Sequence, residues 1–80
     1  ISIIPNPTEG NFQIVFNSNY KEDAVIEVLN TQGQLVLSSS DRINKNINTL
    51  NLTLDGFSSG LYFVRVTSSN QTFSGKVLLK

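Results

Sequence analysis

The sequence contains no cysteine, no histidine, no tryptophan and no methionine among its 80 residues. Without cysteine the fold has no disulfide to cross-link it and no thiolate to bind a metal. Without histidine there is no imidazole base, which excludes nucleophile systems of the Ser-His and Cys-His type. The hydrophobic core must therefore stabilise the fold on its own, although a chain of this length buries only about 60–65% of its unfolded surface.

Charge is also scarce. Six basic residues balance six acidic ones, so the chain has no electrostatic means of holding a phosphate backbone, and we expect no nucleic-acid partner. The acidic residues Glu9, Glu22, Asp23 and Asp55 show no calcium-loop spacing, so we expect no metal and no cofactor. The apolar runs are far shorter than the ~18–20 residues that span a bilayer, which predicts no membrane insertion.

What the sequence does have is alternation of apolar and polar residues with a period of two, which is typical of β-strands. It covers residues 11–17, 24–29, 50–55, 62–67 and 76–80, and shorter apolar runs at 34–38 and 3–4 predict two more strands. The inward phase predicts a core of Phe12, Ile14, Phe16, Ile26, Val28, Leu52, Leu54, Tyr62, Val64, Val66, Val77 and Leu79.

Turn signals separate these strands every eight to twelve residues. Asn30–Gly33 predicts a tight hairpin, and Gly33 and Gly60 suit turns that need unusual backbone angles. Residues 38–46 are polar and are predicted to form an irregular crossing between strands. We therefore expect one all-β domain over residues 1–80, an antiparallel immunoglobulin-like β-sandwich of about seven strands.

Four short motifs occur in order along the chain. They are Pro-Asn-Pro-x-x-Gly at 5–10, Asn-x-x-Gly followed by a valine at 30–36, Gly-x-Tyr-x-Val at 60–64, and Lys-x-x-x-Lys at 76–80. Together they resemble the type A C-terminal sorting domains of the type IX secretion system, also called the Por secretion system sorting domain family. Phe57 departs from the family pattern, in which leucine is commoner at that position.

The resemblance implies a C-terminal secretion signal of Bacteroidetes-type bacteria, and not an enzyme. The chain would be a fragment of a larger secreted precursor with an upstream cargo domain, and Lys80 its natural end. The precursor would pass through the periplasm, and the type IX secretion machinery would carry it to the cell surface or the medium. A cell-surface sortase would in many cases remove the signal and anchor the cargo. We expect a monomer.

The last strand carries the candidate recognition residues Lys76, Leu78 and Lys80, which share its outward face. As an edge strand it would also offer free backbone groups to a partner, although edge lysines can equally serve to block strand addition. The motif residues of the predicted turns are Pro5, Asn6, Pro7, Gly10, Gly33 and Gly60.

The alternative function is a fibronectin-like or carbohydrate-binding accessory module of a secreted protein, which would use the same sandwich. A sugar-binding face usually contains exposed aromatic residues, and the sequence has no tryptophan. Only Tyr20, Phe63 and Phe73 fall outside the inward phase of the predicted strands.

Overall fold

Strands form where apolar and polar residues alternate, and the computed structural model describes all 80 residues with seven strands and no helix. The strands are β1 (Ser2–Ile4), β2 (Asn11–Ser18), β3 (Glu22–Leu29), β4 (Leu35–Ile43), β5 (Asn46–Thr53), β6 (Gly60–Ser68) and β7 (Thr72–Leu79). The predicted strand count and all-β class are confirmed. No helix is present that is long and apolar enough to cross a membrane.

The strands make two sheets. One has three strands in the order β1-β2-β5, and the other has four in the order β4-β3-β6-β7. All pairings within the sheets are antiparallel. The apolar faces of the two sheets meet, as the predicted sandwich requires.

Thirteen buried apolar residues form the core between the sheets. Eleven of the twelve predicted core residues are among them, and Leu52 is half-buried against the same cluster. Ala24 and Ile43 complete the core. Tyr62 is buried as predicted, and its hydroxyl donates a hydrogen bond to the carbonyl oxygen of Ser58, which satisfies the one polar atom of that side chain.

The crossing predicted for residues 38–46 is wrong. Most of that segment is the second half of β4, which pairs with β3 as far as Ile43 opposite Glu22. An edge strand can be held by backbone hydrogen bonds on one side, so its polar residues need no apolar partner. Ile43 is the single apolar residue that anchors this end of β4 in the core.

Hydrogen bonds from side chains and from the backbone hold the turns that connect the strands. Asn48 is buried and bonds the backbone of Asn44 through both its amide oxygen and its amide nitrogen, each at 2.8 Å. In the predicted hairpin the Gly33 N–H donates to the Asn30 carbonyl at 3.0 Å, and Gly33 has a φ of 79°. Glycine adopts such an angle with no steric penalty, so the hairpin prediction is confirmed together with its reason.

Candidate recognition surface

The last strand places its residues as the alternation predicts. Val77 and Leu79 are buried in the core, whereas Lys76 and Leu78 are exposed on the outer face of the four-stranded sheet. The register of β7 with β6 fixes this orientation, because Val77 lies opposite Tyr62 and Leu79 lies opposite Gly60. Lys80 follows the strand directly and is exposed as well.

The outer edge of β7 is not free, contrary to the expectation from sequence. The Asn6 side chain donates from Nδ2 to the carbonyl oxygen of Lys76 at 2.8 Å, and its Oδ1 accepts the N–H of Leu78 at 3.0 Å. Thr8 continues the contact as a short parallel bridge. Its N–H donates to the carbonyl of Leu78 at 2.8 Å, and its carbonyl accepts the N–H of Lys80 at 2.9 Å.

This covering of the edge changes how β7 can be recognised. A partner strand cannot add alongside residues 76–80 while the outward backbone groups of Leu78 bond the Asn6–Thr8 segment. A partner that contacts the folded domain at this end would therefore meet side chains and not free backbone groups. The sequence showed the motif that contains Asn6, but not that residues some seventy positions away would be its partners.

The other motif residues have structural positions. The peptide bonds before Pro5 and Pro7 are both cis, and they flank Asn6. Gly10 lies three residues after Pro7. Its carbonyl accepts the N–H of Leu54 at 2.9 Å, and its N–H donates to the hydroxyl of buried Thr8 at 3.1 Å. Gly60 begins β6 with a φ of 149°, so the turn that precedes the strand depends on glycine.

Gly75, in the middle of β7, permits a close approach of β1. A Cβ atom at this position would lie 3.0 Å from the Cδ1 atom of Ile3 and 3.1 Å from the Cγ2 atom of Ile1. The absent side chain thus makes room for the two isoleucines, as expected of glycine within a strand. Phe73, one of the three aromatic exceptions, faces inward and stacks on Phe16 with ring centroids 4.7 Å apart.

Apolar side chains surround the candidate recognition residues on the same face. Leu61 lies directly opposite Leu78, and Phe63 lies directly opposite Lys76. Leu29 and Leu35 continue the Phe63 row across β3 and β4. The sequence shows that these residues fall on the outward phase of their strands. It does not show that residues from four different strands would be neighbours, because that depends on strand order and register.

Some charged side chains on this face have a partner of opposite charge and others do not. Glu27 and Arg65, in the next row, form an ion pair at 2.8 Å across β3 and β6. Lys76 and Lys80 have no such partner, since the only other ion pair joins Asp23 and Arg42. The two lysines are therefore available to an external anionic group.

A polar network closes the opposite end of the sandwich. Glu22 accepts hydrogen bonds from the Ser68 hydroxyl and, at 2.8 Å, from the Asn70 amide. The bond from Ser68 is the main cause that lowers the pKa of Glu22 below its ordinary value. Gln71 joins this network to the buried Ser18 hydroxyl at 2.8 Å. These contacts link β2, β3 and the hairpin between β6 and β7.

The family of the chain follows from comparison with known sequences. A family model described as "Secretion system C-terminal sorting domain" matches residues 2–80. The chain belongs to this family. A comparison with curated proteins found no match.

The sorting domain is a C-terminal signal of type IX secretion, and such a signal implies export to the cell surface or secretion. Its motifs now have physical roles. The Pro-Asn-Pro opening covers the edge of the last strand, the Asn-x-x-Gly turn closes the β3–β4 hairpin, and Gly-x-Tyr-x-Val forms the start of β6. No group of three or more side chains in the sorting domain is placed to hold a metal ion.

Proposed function

We propose that the sorting domain acts as a ligand of the type IX machinery and is read through the outward side chains of β7. It would be carried at the C-terminal end of a larger cargo protein, pass through the periplasm as a monomer, and take no part in catalysis. After export, a cell-surface sortase would remove it and join the cargo to the surface. The family membership supports the export role.

The choice of residues rests on how the groups of β7 are used within the fold. Val77 and Leu79 are buried in the core, and the backbone groups on the outer edge bond Asn6 and Thr8. Among residues 76–80, this leaves Lys76, Leu78 and Lys80 for an external partner. All three are exposed.

The test is export of a periplasmic reporter that carries the 80-residue chain at its C-terminus, in a host with the type IX machinery. Replacing both Lys76 and Lys80 with Ala is expected to leave more reporter in the periplasm, because the cationic groups that contact the machinery are lost. Stability should change little, since exposed charges contribute about 1 kcal/mol or less. Circular dichroism on the purified variant checks that the fold is retained.

Two comparisons make this test specific. Replacing Lys21 and Lys45 with Ala removes the same charge from exposed positions outside β7, and export is expected to stay at the wild-type level. Deleting residues 76–80 is a poorer test, because it removes Val77 and Leu79 from the core and so confounds folding with recognition. Unchanged export of the folded Lys76 and Lys80 double variant would refute their proposed role.

A further inference from the structure

An apolar patch covers one end of the outer face of the four-stranded sheet. We call it the Phe63 patch, and it consists of Leu29, Leu35, Leu61, Phe63 and Leu78. The exposed fractions are 52% for Leu35, 37% for Leu61, 39% for Phe63 and 43% for Leu78. The register joins these residues into two adjacent rows, Leu35–Leu29–Phe63 and Leu61–Leu78.

The patch is a feature of this face only. The outer face of the three-stranded sheet exposes Ile4 and Ile47, at 54% and 65%, but these lie in separate rows, opposite Gln13 and Asn17. The other residues exposed on that face along β2 and β5 are polar: Asn11, Gln13, Asn17, Thr49, Asn51 and Thr53. Isolated exposed apolar residues are ordinary on protein surfaces, whereas contiguous ones mark interaction sites. Four of the ten large apolar residues that are exposed in the chain lie within the Phe63 patch. The asymmetry between the two faces therefore points to a partner for one of them.

The charge beside the patch indicates the chemistry of that partner. Lys76 ends the Phe63 row on β7 and forms no ion pair within the chain. Lys80 comes directly after β7 and forms no ion pair either, although Glu9 and Asp55 line the same surface hollow as Lys80. The nearest row contains one carboxylate, Glu27, which is already bonded to Arg65. The patch is thus apolar at its centre and positive at its β7 side, and the complementary surface is apolar with carboxylates along one side.

We propose that the Phe63 patch, together with Lys76 and Lys80, docks onto a component of the export machinery whose surface is apolar and flanked by Asp or Glu side chains. The proposal rests on the proposed function and extends the recognised surface from the last strand to β3, β4 and β6. An aromatic residue at the centre of an apolar contact with charged groups at its margin is the usual arrangement of an energetically important interface.

The experiment uses the reporter fusion in a type IX host and compares two double variants. Leu61→Thr with Phe63→Thr removes the centre of the patch and keeps residues that suit strands. The control, Val25→Thr with Ile47→Thr, removes two comparably exposed apolar residues, at 41% and 65%, from outside the patch. Export is expected to fall about tenfold or more for the patch variant, because central interface residues dominate binding. The control variant should stay within about twofold of the intact chain.

A second arm tests the sign of the charge. Replacing Lys76 and Lys80 with Glu is expected to reduce export further than replacing them with Ala, because two carboxylates would repel those of the partner. Replacing both with Arg keeps the charge and should retain most of the export. Equal export of the Glu and Ala variants would reject an acidic partner.

The remaining outcomes separate the two proposals. If the intact chain is exported and the folded patch variant is exported equally well, the docking surface is wrong while the proposed function stands. If the patch and control variants lose export to the same extent, the loss does not come from the patch and the docking proposal is again overturned. If the intact chain itself stays in the periplasm, it is the proposed function that fails. Circular dichroism and urea unfolding confirm that each variant scored is folded.

Discussion

Replacing Asn6 with Ala should detach the opening segment from the last strand. The substitution removes two hydrogen bonds, one to the carbonyl of Lys76 at 2.8 Å and one from the N–H of Leu78 at 3.0 Å. A neutral hydrogen bond contributes about 0.5–1.5 kcal/mol net, and groups that water can reach after the change fall at the lower end. We therefore expect the free energy of unfolding to decrease by about 1–2 kcal/mol.

Two measurements on the purified chain check this expectation. Urea unfolding gives the change in stability directly. Hydrogen exchange reports the same contact locally, and the amide of Leu78 should exchange about 5–30-fold faster, the factor that corresponds to 1–2 kcal/mol. Asn51→Ala is the control, because it removes a single exposed bond from the Gln13 side chain, at 3.1 Å, and should cost less than about 0.5 kcal/mol.

If Asn6→Ala unfolds at the same urea concentration as the intact chain, and if Leu78 exchanges at an unchanged rate, the Asn6 side chain does not hold the edge. The closure of the β7 edge to strand addition would then depend on the two backbone bonds of Thr8 alone.

Three further predictions concern stability. Val64→Ala should lower the free energy of unfolding by about 1–3 kcal/mol in urea titration, because Val64 is fully buried in the core; a change below about 0.5 kcal/mol would contradict its assigned position. The bond from Ser68 lowers the folded-state pKa of Glu22, so the stability that this carboxylate contributes is complete above its unfolded pKa and is lost as the pH falls through the folded pKa. Glu22→Gln should therefore flatten the acid side of the stability profile measured from about pH 6 to about pH 3, whereas a profile as steep as that of the intact chain would exclude Glu22 as a contributor. Treatment with EDTA should leave the thermal unfolding curve unchanged, since no cluster of metal-ligating side chains exists, and a lowered melting temperature would reveal a structural metal.

The alternation of apolar and polar residues was enough to predict most of the fold. It predicted the central strands and eleven of the thirteen core residues, because a strand that is buried on one face must carry its apolar residues at every second position. It failed for the second half of β4, where Ser38 to Asp41 are all exposed. That segment is held by backbone bonds to β3, which leave no pattern in the side chains.

The burial of three polar residues could not be predicted from the sequence either. Thr8, Ser18 and Asn48 are buried, and each is acceptable there only because backbone or side-chain groups satisfy its hydrogen bonds. Those partners are set by the folded chain, so the residues look like ordinary loop residues in the sequence. The partners of Asn6, which is exposed, were equally hidden in the sequence, because they lie at the other end of the chain.

The sequence predicted which residues of the last strand are exposed, but not which residues surround them. The outward phase of Lys76, Leu78 and Lys80 follows from alternation alone, and all three are exposed in the structure. The neighbours of these residues depend on strand order and register, which bring β3 and β6 beside β7. A short sequence does not fix that order, and so the Phe63 patch emerges only in the folded chain.

The destination of a reporter that ends in this chain shows whether the chain acts as a type IX sorting signal. The fraction of reporter at the cell surface and in the medium would be compared with the periplasmic fraction, in a host with the type IX machinery and in the same host without it. We predict that the reporter leaves the periplasm only where both the machinery and the intact chain are present. A reporter that stays in the periplasm of the competent host, or that is exported equally without the machinery, would contradict a role as a type IX sorting signal.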